Sequence, residues 1–184
     1  MTARHRKNLP SIWLMTDERI APEALLAAVA RLPKGKAGII FRHYRTPSQE
    51  RKALFDGIAA LARRRRLPLL LAGPASLATA WGADGWHGRN RARPAGQHLH
   101  SMPVHDAREL AAAARARADF ILLSPLFPTR SHPGGGWLGR ARFAALAHQA
   151  TMPVMALGGV QSRHRHMLRG IGASGWAAID GLTG

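Results

Sequence analysis

The 184-residue chain contains no cysteine. Without a thiol it has no disulfide framework, no thiolate zinc site and no cysteine nucleophile. Aromatic residues make up only 6% of the chain, so few rings could stack on nucleic-acid bases. No apolar run approaches the roughly 18 to 20 residues that cross a bilayer, and the apolar part of the basic start is too short for a secretory signal. These absences exclude a disulfide-stabilised scaffold, a cysteine-dependent site and a membrane-spanning helix. We expect a cytoplasmic protein.

Acidic residues are also few. The chain has 10 Asp and Glu against 27 Lys and Arg, and its formal net charge is +17. This excess attracts phosphates, whether on nucleic acid, on an anionic membrane or on a small metabolite. The arginines are spread through nearly every predicted helix, and the run Arg63–Arg66 lies in a last helical turn, where cations suit the helix dipole. We therefore expect mainly solvated charge, a small phosphorylated metabolite as partner, no membrane, and nucleic acid as the last-ranked partner.

The stretch from Pro153 to Ile179 carries the clearest pattern. Val154–Leu157 is typical of a strand buried on both faces, Gly158 and Gly159 follow, Gln161–Ile171 has helical spacing, and a second apolar run closes the stretch. This order predicts a βαβ unit with two parallel strands. Since a backbone without Cβ atoms can bring N–H groups against an anion just before a helix, the glycines predict a phosphate cradle. A tight turn that binds nothing is the alternative.

Short apolar runs and helical periods alternate along the whole chain. The eight predicted strands are Ile12–Met15, Ala37–Phe41, Leu67–Ala72, Asp84–Gly88, Leu99–Met102, Phe120–Leu123, Val154–Leu157 and Trp176–Ile179. The predicted helices are Pro22–Leu32, Gln49–Arg66 with Ser48 as N-cap, Pro74–Trp81, one from His105 or Asp106 to Ala118, Ala141–Gln149 and Gln161–Ile171.

This alternation predicts an α/β protein, a compact (β/α)8 TIM barrel whose final helix is short or absent. We expect one domain over residues 12–184, preceded by a basic segment at 1–11. A doubly wound open sheet is the alternative, but it would want a Gly-rich turn after the first strand, where Thr16 and Asp17 stand. In such barrels a phosphate commonly binds after strands seven and eight, where Gly158, Gly159 and Asp180 fall. The missing last helix predicts an uncovered strand eight, which either a partner subunit in a possible homodimer or the N-terminal segment would cover.

Several stretches resemble the thiamine phosphate synthase and TenI-like family. They are ADFILLSPLFPTRSHPGGGWLG, MPVMALGGV and GASGWAAI, with FRHY and ADGWHG earlier in the chain. The family has ADYIGLGPVFPT with a polar loop and PLG, IPVVAIGGI and GADGVAVI in the same order, and FREK and ADGIHLG at the two earlier places. The resemblance covers roughly residues 12–180.

The resemblance implies thiamine biosynthesis and a transferase reaction. In this family a pyrimidine loses pyrophosphate, with Mg²⁺ stabilising the leaving group, and the nitrogen of a thiazole phosphate forms the new C–N bond. Such a site needs cations for the leaving group, carboxylates for Mg²⁺ and a backbone cradle for the second phosphate.

The family's site residues match this chain unevenly. By resemblance, Arg42 contacts pyrophosphate and, with His132, is the candidate catalytic residue. The implied phosphate-binding residues are Thr129, Ser131, Gly158, Gly159, Ile179 and Asp180. The family's magnesium ligands are missing. Its Asn-Asp pair corresponds to Ala72-Gly73 or Gly73-Pro74 here, and its second carboxylate has no counterpart in GRNRARPAG. No metal site is therefore predicted, and Mg²⁺ stays possible as a cofactor without identified ligands.

Three alternatives remain at this point. Arginines could replace Mg²⁺, with Arg42 and Arg45 after strand two and Arg89, Arg91 and Arg93 after strand four clamping a pyrophosphate. His87, His105 or His132 could act as an acid or base, although each is more simply a surface or structurally bonded histidine. The barrel could also be a non-catalytic phosphometabolite-binding or regulatory protein. Finally, Gly159→Val is expected to block phosphate binding while leaving the fold mostly intact.

Overall fold

A computed structural model of the chain describes residues 9–90, 98–129 and 134–183. Eight parallel strands form a closed barrel in chain order, and the first and last strands pair through Leu14 and Ala178. The predicted (β/α)8 barrel is therefore confirmed, and the open doubly wound sheet is excluded. Among these residues no helix is long and apolar enough to cross a membrane.

The barrel strands are short and are followed by helices of unequal length. The strands are β1 (Ile12–Met15), β2 (Ala37–Phe41), β3 (Leu69–Ala72), β4 (Gly85–His87), β5 (Leu99–Val104), β6 (Phe120–Leu123), β7 (Val154–Ala156) and β8 (Gly175–Ala178). The helices are α1 (Pro22–Arg31), α2 (Ser48–Arg65), α3 (Ala75–Ala80), α4 (Ala107–Arg115), α5 (Gly139–Gln149), α6 (Arg165–Gly170) and α7 (Asp180–Thr183).

Four helix starts differ from the sequence prediction. Two differ by only one or two residues, since α3 begins at Ala75 and not Pro74, and α5 at Gly139 and not Ala141. Ser48 is the first residue of α2 and not its N-cap, a position that Pro47 takes without a side-chain hydrogen bond. The predicted helix Gln161–Ile171 begins instead as a 3₁₀ turn, Ser162–His164, before α6. Asp106 does cap α4, because its carboxylate accepts a hydrogen bond from the Glu109 N–H.

The barrel interior is filled by alternate residues of the strands. Trp13 stacks on Phe120 with ring centroids 4.6 Å apart, and its indole N–H donates to the Pro10 carbonyl. Gly38 leaves the space that this ring needs, since a Cβ there would lie 2.4 Å from the Trp13 ring. The strand residues that point outward pack against the helices in two further clusters.

The outer face of β8 is covered by the chain itself. Trp176 is 6% exposed and Ala178 is 5% exposed. Leu182 of the one-turn helix α7 packs, partly buried, against both outer clusters. The expected short final helix is present. Among the described residues the expected apolar gap beside β8 is absent, so it gives no support for a homodimer.

Candidate functional site

A cleft of about 910 Å³ lies at the carboxyl ends of the strands. All strands are parallel, so the loops that follow them meet at this end of the barrel. Six of the residues predicted from the sequence line the cleft, namely Arg42, Thr129, Gly158, Gly159, Ile179 and Asp180. The other two, Ser131 and His132, lie outside the described residues.

The loop after β7 is held tightly against the loop after β6. Gly158 and Gly159 have φ values of +92° and +63°, which favour glycine. Two backbone hydrogen bonds join the loops. The Leu126 N–H donates to the Leu157 carbonyl at 2.8 Å, and the Phe127 N–H donates to the Gly158 carbonyl at 3.1 Å.

The missing Cβ of Gly159 faces this neighbouring loop. A Cβ there would lie 2.6 Å from the Pro128 carbonyl oxygen and 2.8 Å from Phe127 Cβ. A side chain at this position would therefore push the loop that carries Thr129. The predicted effect of Gly159→Val on phosphate binding would therefore act through this loop, since the first clash of a side chain is with Pro128 and Phe127.

The same loop carries backbone N–H groups at the wall of the cleft. Gly158, Gly159 and Val160 line it, and across the described part of the chain their N–H groups have no backbone acceptor. Gln161 caps the following 3₁₀ turn, and its N–H donates to His164 Nδ1 at 3.1 Å. Successive donors before a helical turn are typical of an anion site.

Arg42 is fixed at the far side of the cleft by β1 and its loop. Its N–H donates to the buried Thr16 hydroxyl at 2.9 Å, its Nε donates to the Thr16 carbonyl at 3.0 Å, and one terminal nitrogen donates to Asp17 at 2.7 Å. Arg19 also contacts Asp17, and both arginines line the cleft.

Asp17 is ionised in this arrangement. Burial raises the pKa of its carboxyl, but hydrogen bonds from Arg19 and the charge of Arg42 outweigh that effect and hold the pKa below its usual value. Its two oxygens are thus committed to the guanidinium groups of Arg19 and Arg42.

A third arginine, Arg51 of α2, reaches the ends of β2 and β3. One terminal nitrogen donates to the Arg42 and Ala72 carbonyls, each at 3.0 Å. The guanidinium carbon lies 5.2 Å from the Trp81 ring centroid, within cation–π range. Arg51 thereby places a positive charge beside Ala72, the last residue of β3.

His87 and Ser101 form a buried pair in the barrel below the cleft. His87 Nδ1 lies 2.9 Å from the Ser101 hydroxyl oxygen. Burial, with smaller contributions from the charges of Arg42 and other neighbours, lowers the pKa of His87 to about 3. The imidazole is therefore neutral at physiological pH and does not act there as a cationic acid.

Two other candidates lie at the rim. His105 lines the cleft, and both its N–H and its Nδ1 contact the Glu109 carboxylate. Arg89 forms an ion pair with the same carboxylate, which draws it toward α4. Arg91 and Arg93 lie outside the described residues.

The comparisons with known proteins agree with this geometry. A sequence model of the family "Thiamine monophosphate synthase" matches residues 12–182. The chain belongs to the thiamine monophosphate synthase family.

Individual relatives match over nearly the whole chain. The thiamine-phosphate synthase of Methylococcus capsulatus is 30% identical over 94% of this chain and 82% of its own length. That of Thiobacillus denitrificans is 29% identical over 93% of this chain and 86% of its own. The solved thiamine phosphate pyrophosphorylase from Pyrococcus furiosus superposes with a TM-score of 0.79 at 23% identity, covering 98% of this chain and 90% of that one. The last comparison supports the fold.

Membership of the thiamine monophosphate synthase family raises the question of Mg²⁺. Within 9–90, 98–129 and 134–183 no three His, Cys, Asp or Glu side chains converge so as to hold a metal ion. Asp17 is committed to two arginines, and Glu18 accepts hydrogen bonds from the Arg45 and Thr46 N–H groups. The described residues do not fit a magnesium site, and the function proposed below does not depend on one.

Sequence reasoning did not single out Thr16, Arg19, Arg51 or Ser101 as contributors to the site. Thr16 and Arg19 lie in the loop after β1, where the sequence indicated only that a Gly-rich turn is missing. Arg51 lies in the first turn of α2. Because this turn follows β2, its position already placed Arg51 at the carboxyl end of the barrel, near the site. The Ser101 contact with His87 depends on the register between β4 and β5, which no local pattern indicates.

Proposed function

We propose that this member of a thiamine-biosynthesis family binds a thiazole phosphate, or a closely similar phosphorylated heterocycle, in the cleft. The phosphate would lie on the Gly158–Val160 backbone, with Thr129 and the start of α7 beside it. The observation that carries this proposal is the row of three backbone N–H groups, without backbone acceptors in the described residues, on a loop that lines the cleft.

The rest of the cleft could hold a second anion, the pyrophosphate, through arginines in place of a metal ion. Arg42 and Arg19 supply positive charge, and Arg51 supports Arg42 from behind. If the transferase reaction takes place, the bond from carbon to the pyrophosphate oxygen breaks, the thiazole nitrogen bonds to that carbon, and these arginines balance the charge on the departing pyrophosphate. Arginine suits this task because its planar fork can hold two phosphate oxygens.

Calorimetric titration tests the proposal directly. We expect thiazole phosphate to bind equally well with and without Mg²⁺. Pyrophosphate tests the second half of the site, and a strict metal requirement for it would reveal ligands outside the described residues. Release of pyrophosphate on mixing the thiazole phosphate with the pyrimidine pyrophosphate would establish turnover. Its absence, with binding intact, would favour the non-catalytic alternative. If thiazole phosphate does not bind at all, the proposal fails.

The cradle can be tested with one methyl group. Gly159→Ala places a Cβ against Pro128 and Phe127 at a positive φ, so we expect at least a tenfold loss of thiazole phosphate affinity and a stability loss of about 1–3 kcal/mol. Gly170→Ala is the matched control, since a Cβ there meets nothing within 4 Å and the residue ends α6. Equal affinity in the two variants would show that the phosphate lies elsewhere.

A further inference from the structure

The acidic residues are unevenly distributed between the two ends of the barrel. Asp84 and Asp119 lie before β4 and β6, at the amino ends of the strands, and each accepts a backbone N–H, from Leu69 and His100 respectively. Asp56 is in the middle of α2 and pairs with Lys52. All other carboxylates of the chain lie in loops after strands or in first turns of helices. The amino end of the barrel is therefore poor in negative charge.

Basic residues that are distant in sequence meet at that end. Lys34 and Lys36 immediately precede β2, and Arg63, Arg64 and Arg66 lie at the end of α2, just before β3. Since β2 and β3 are neighbours in the sheet, both groups lie together. All five side chains are exposed. We call these five residues the basic end patch.

Arg65 fastens the two parts of the basic end patch to each other. Its guanidinium donates to the Leu32 carbonyl, and its own carbonyl accepts the Gly35 N–H at 3.0 Å. The loop that carries Lys34 and Lys36 therefore lies on the last turn of α2. Within the described residues, no carboxylate forms an ion pair with any of the five side chains of the patch.

Helix-dipole stabilisation does not explain this cluster. A cation in a last helical turn is stabilising, but Lys34 and Lys36 belong to no helix. Arg66 has φ +56°, the left-handed conformation in which glycine is the usual residue. Like charges on two adjoining segments repel one another, and a bound polyanion would offset that repulsion.

A groove of about 520 Å³ continues the basic end patch across the amino end of the barrel. Arg63, Arg66 and His98 line it beside the apolar Leu67 and Leu99. Asp84 is the carboxylate on its wall, and no Phe, Tyr or Trp is among the described residues that line it. A surface of this kind can contact phosphates but offers no ring for stacking on a base.

We propose that the basic end patch binds the phosphate backbone of a nucleic acid, without reading its sequence. Guanidinium and ammonium groups on two adjoining segments suit a row of phosphodiesters, and release of counterions supplies the binding free energy. The patch lies at the end of the barrel opposite the cleft, so this function is independent of the one proposed above.

Fluorescence anisotropy with a labelled 20-base-pair DNA duplex of arbitrary sequence tests the proposal. The affinity should fall steeply as salt is raised from 50 to 200 mM. In Arg63→Gln/Arg64→Gln/Arg66→Gln we expect at least a tenfold weaker affinity at 50 mM salt. The magnitude of the slope of log K against log salt should fall by about 0.9 for each phosphate contact removed.

The matched control removes the same charge elsewhere. Arg140, Arg142 and Arg165 are exposed residues near the starts of α5 and α6, at the carboxyl end of the barrel. We expect Arg140→Gln/Arg142→Gln/Arg165→Gln to retain most of the affinity. Equal losses in the two triple variants would mean that net charge alone attracts DNA and would overturn the proposal, as would no binding by the unaltered protein.

A second variant covers the case in which the α2 substitutions impair folding. Lys34→Gln/Lys36→Gln leaves the helix intact and should weaken DNA binding at least threefold, with a correspondingly smaller salt slope. Circular dichroism monitors the fold of each variant. If Lys34→Gln/Lys36→Gln binds as tightly as the unaltered protein, the two segments do not form one surface and the proposal fails.

Discussion

At the residue scale, His87 shows how a buried position changes a side chain's chemistry. It is 6% exposed, hydrogen-bonded to Ser101 and surrounded by the barrel interior. The sequence made it a candidate acid or base because histidine ordinarily titrates near neutral pH, but the depressed pKa removes its charge there. A neutral imidazole can still orient the Ser101 hydroxyl or a bound ligand by hydrogen bonding.

The depressed pKa makes His87 a source of acid instability. The unfolded chain binds a proton at this side chain below its ordinary pKa of 6.5, whereas the folded chain does so only near 3. The free energy of unfolding therefore falls by up to about 1.4 kcal/mol per pH unit as pH drops through this window. Between pH 7 and pH 5 the loss from His87 should be about 2 kcal/mol.

Urea unfolding at the two pH values measures this effect. His87→Gln cannot take up the proton, so the difference in unfolding free energy between pH 7 and pH 5 should shrink by about 2 kcal/mol. Leu122→Met is the control, because it alters the same barrel interior without removing a titratable group. A pH dependence in His87→Gln as steep as in the unaltered protein would contradict the depressed pKa.

At the scale of elements, α2 does more than cover β2 and β3. Phe55, Ile58 and Ala62 bury its inner face, while Arg51 in its first turn donates to carbonyls at the ends of both strands. The Arg51 Nε is buried and has no partner among the described residues, so burial of this guanidinium is costly. The two hydrogen bonds to the Arg42 and Ala72 carbonyls offset this cost, and both would be lost if the side chain were removed.

Arg51→Met tests this bracing role. We expect the free energy of unfolding to fall by about 1–3 kcal/mol, since two partly buried carbonyl groups lose a charged donor. Arg64→Met on the same helix is exposed and should change stability by less than about 0.5 kcal/mol. Denaturant midpoints give both values, and similar losses in the two variants would show that Arg51 contributes only helix propensity.

At the scale of the whole molecule, barrel closure depends on close backbone contact at the seam between β1 and β8. The Trp176 N–H donates to the Ser11 carbonyl at 2.9 Å. Gly175 lies beside the same carbonyl, and a Cβ there would stand 2.3 Å from the Ser11 oxygen. The seam therefore tolerates no side chain at this position without moving a strand.

Gly175→Ala should open the seam. We expect a stability loss of about 1–3 kcal/mol, the range for overfilling a packed interior. Gly57→Ala is the control because a Cβ there meets only Leu26, at 3.6 Å, inside a helix where alanine is preferred. Thermal unfolding should rank the Gly57 variant at or above the unaltered protein and the Gly175 variant below it, and the reverse order would refute the packing argument.

Local pattern alone determined the strands and the class of fold. Strands β1, β2 and β6 begin and end at the predicted residues, because their apolar runs are bounded by turns and buried on both faces. Family motifs then located Arg42, Thr129, Gly158, Gly159, Ile179 and Asp180 at one cleft. Their order along the chain sufficed, because parallel strands deliver every following loop to the same end.

Tertiary structure decided the contacts that depend on register and on convergence of distant segments. The Arg42–Thr16–Asp17 network joins two loops, and the His87–Ser101 pair depends on the alignment of β4 with β5. The basic end patch likewise unites residues near position 35 with residues near 65, which a reading along the chain had treated as separate solvated charges. A sequence records which side chains are present, but only closure of the barrel determines which of them are neighbours.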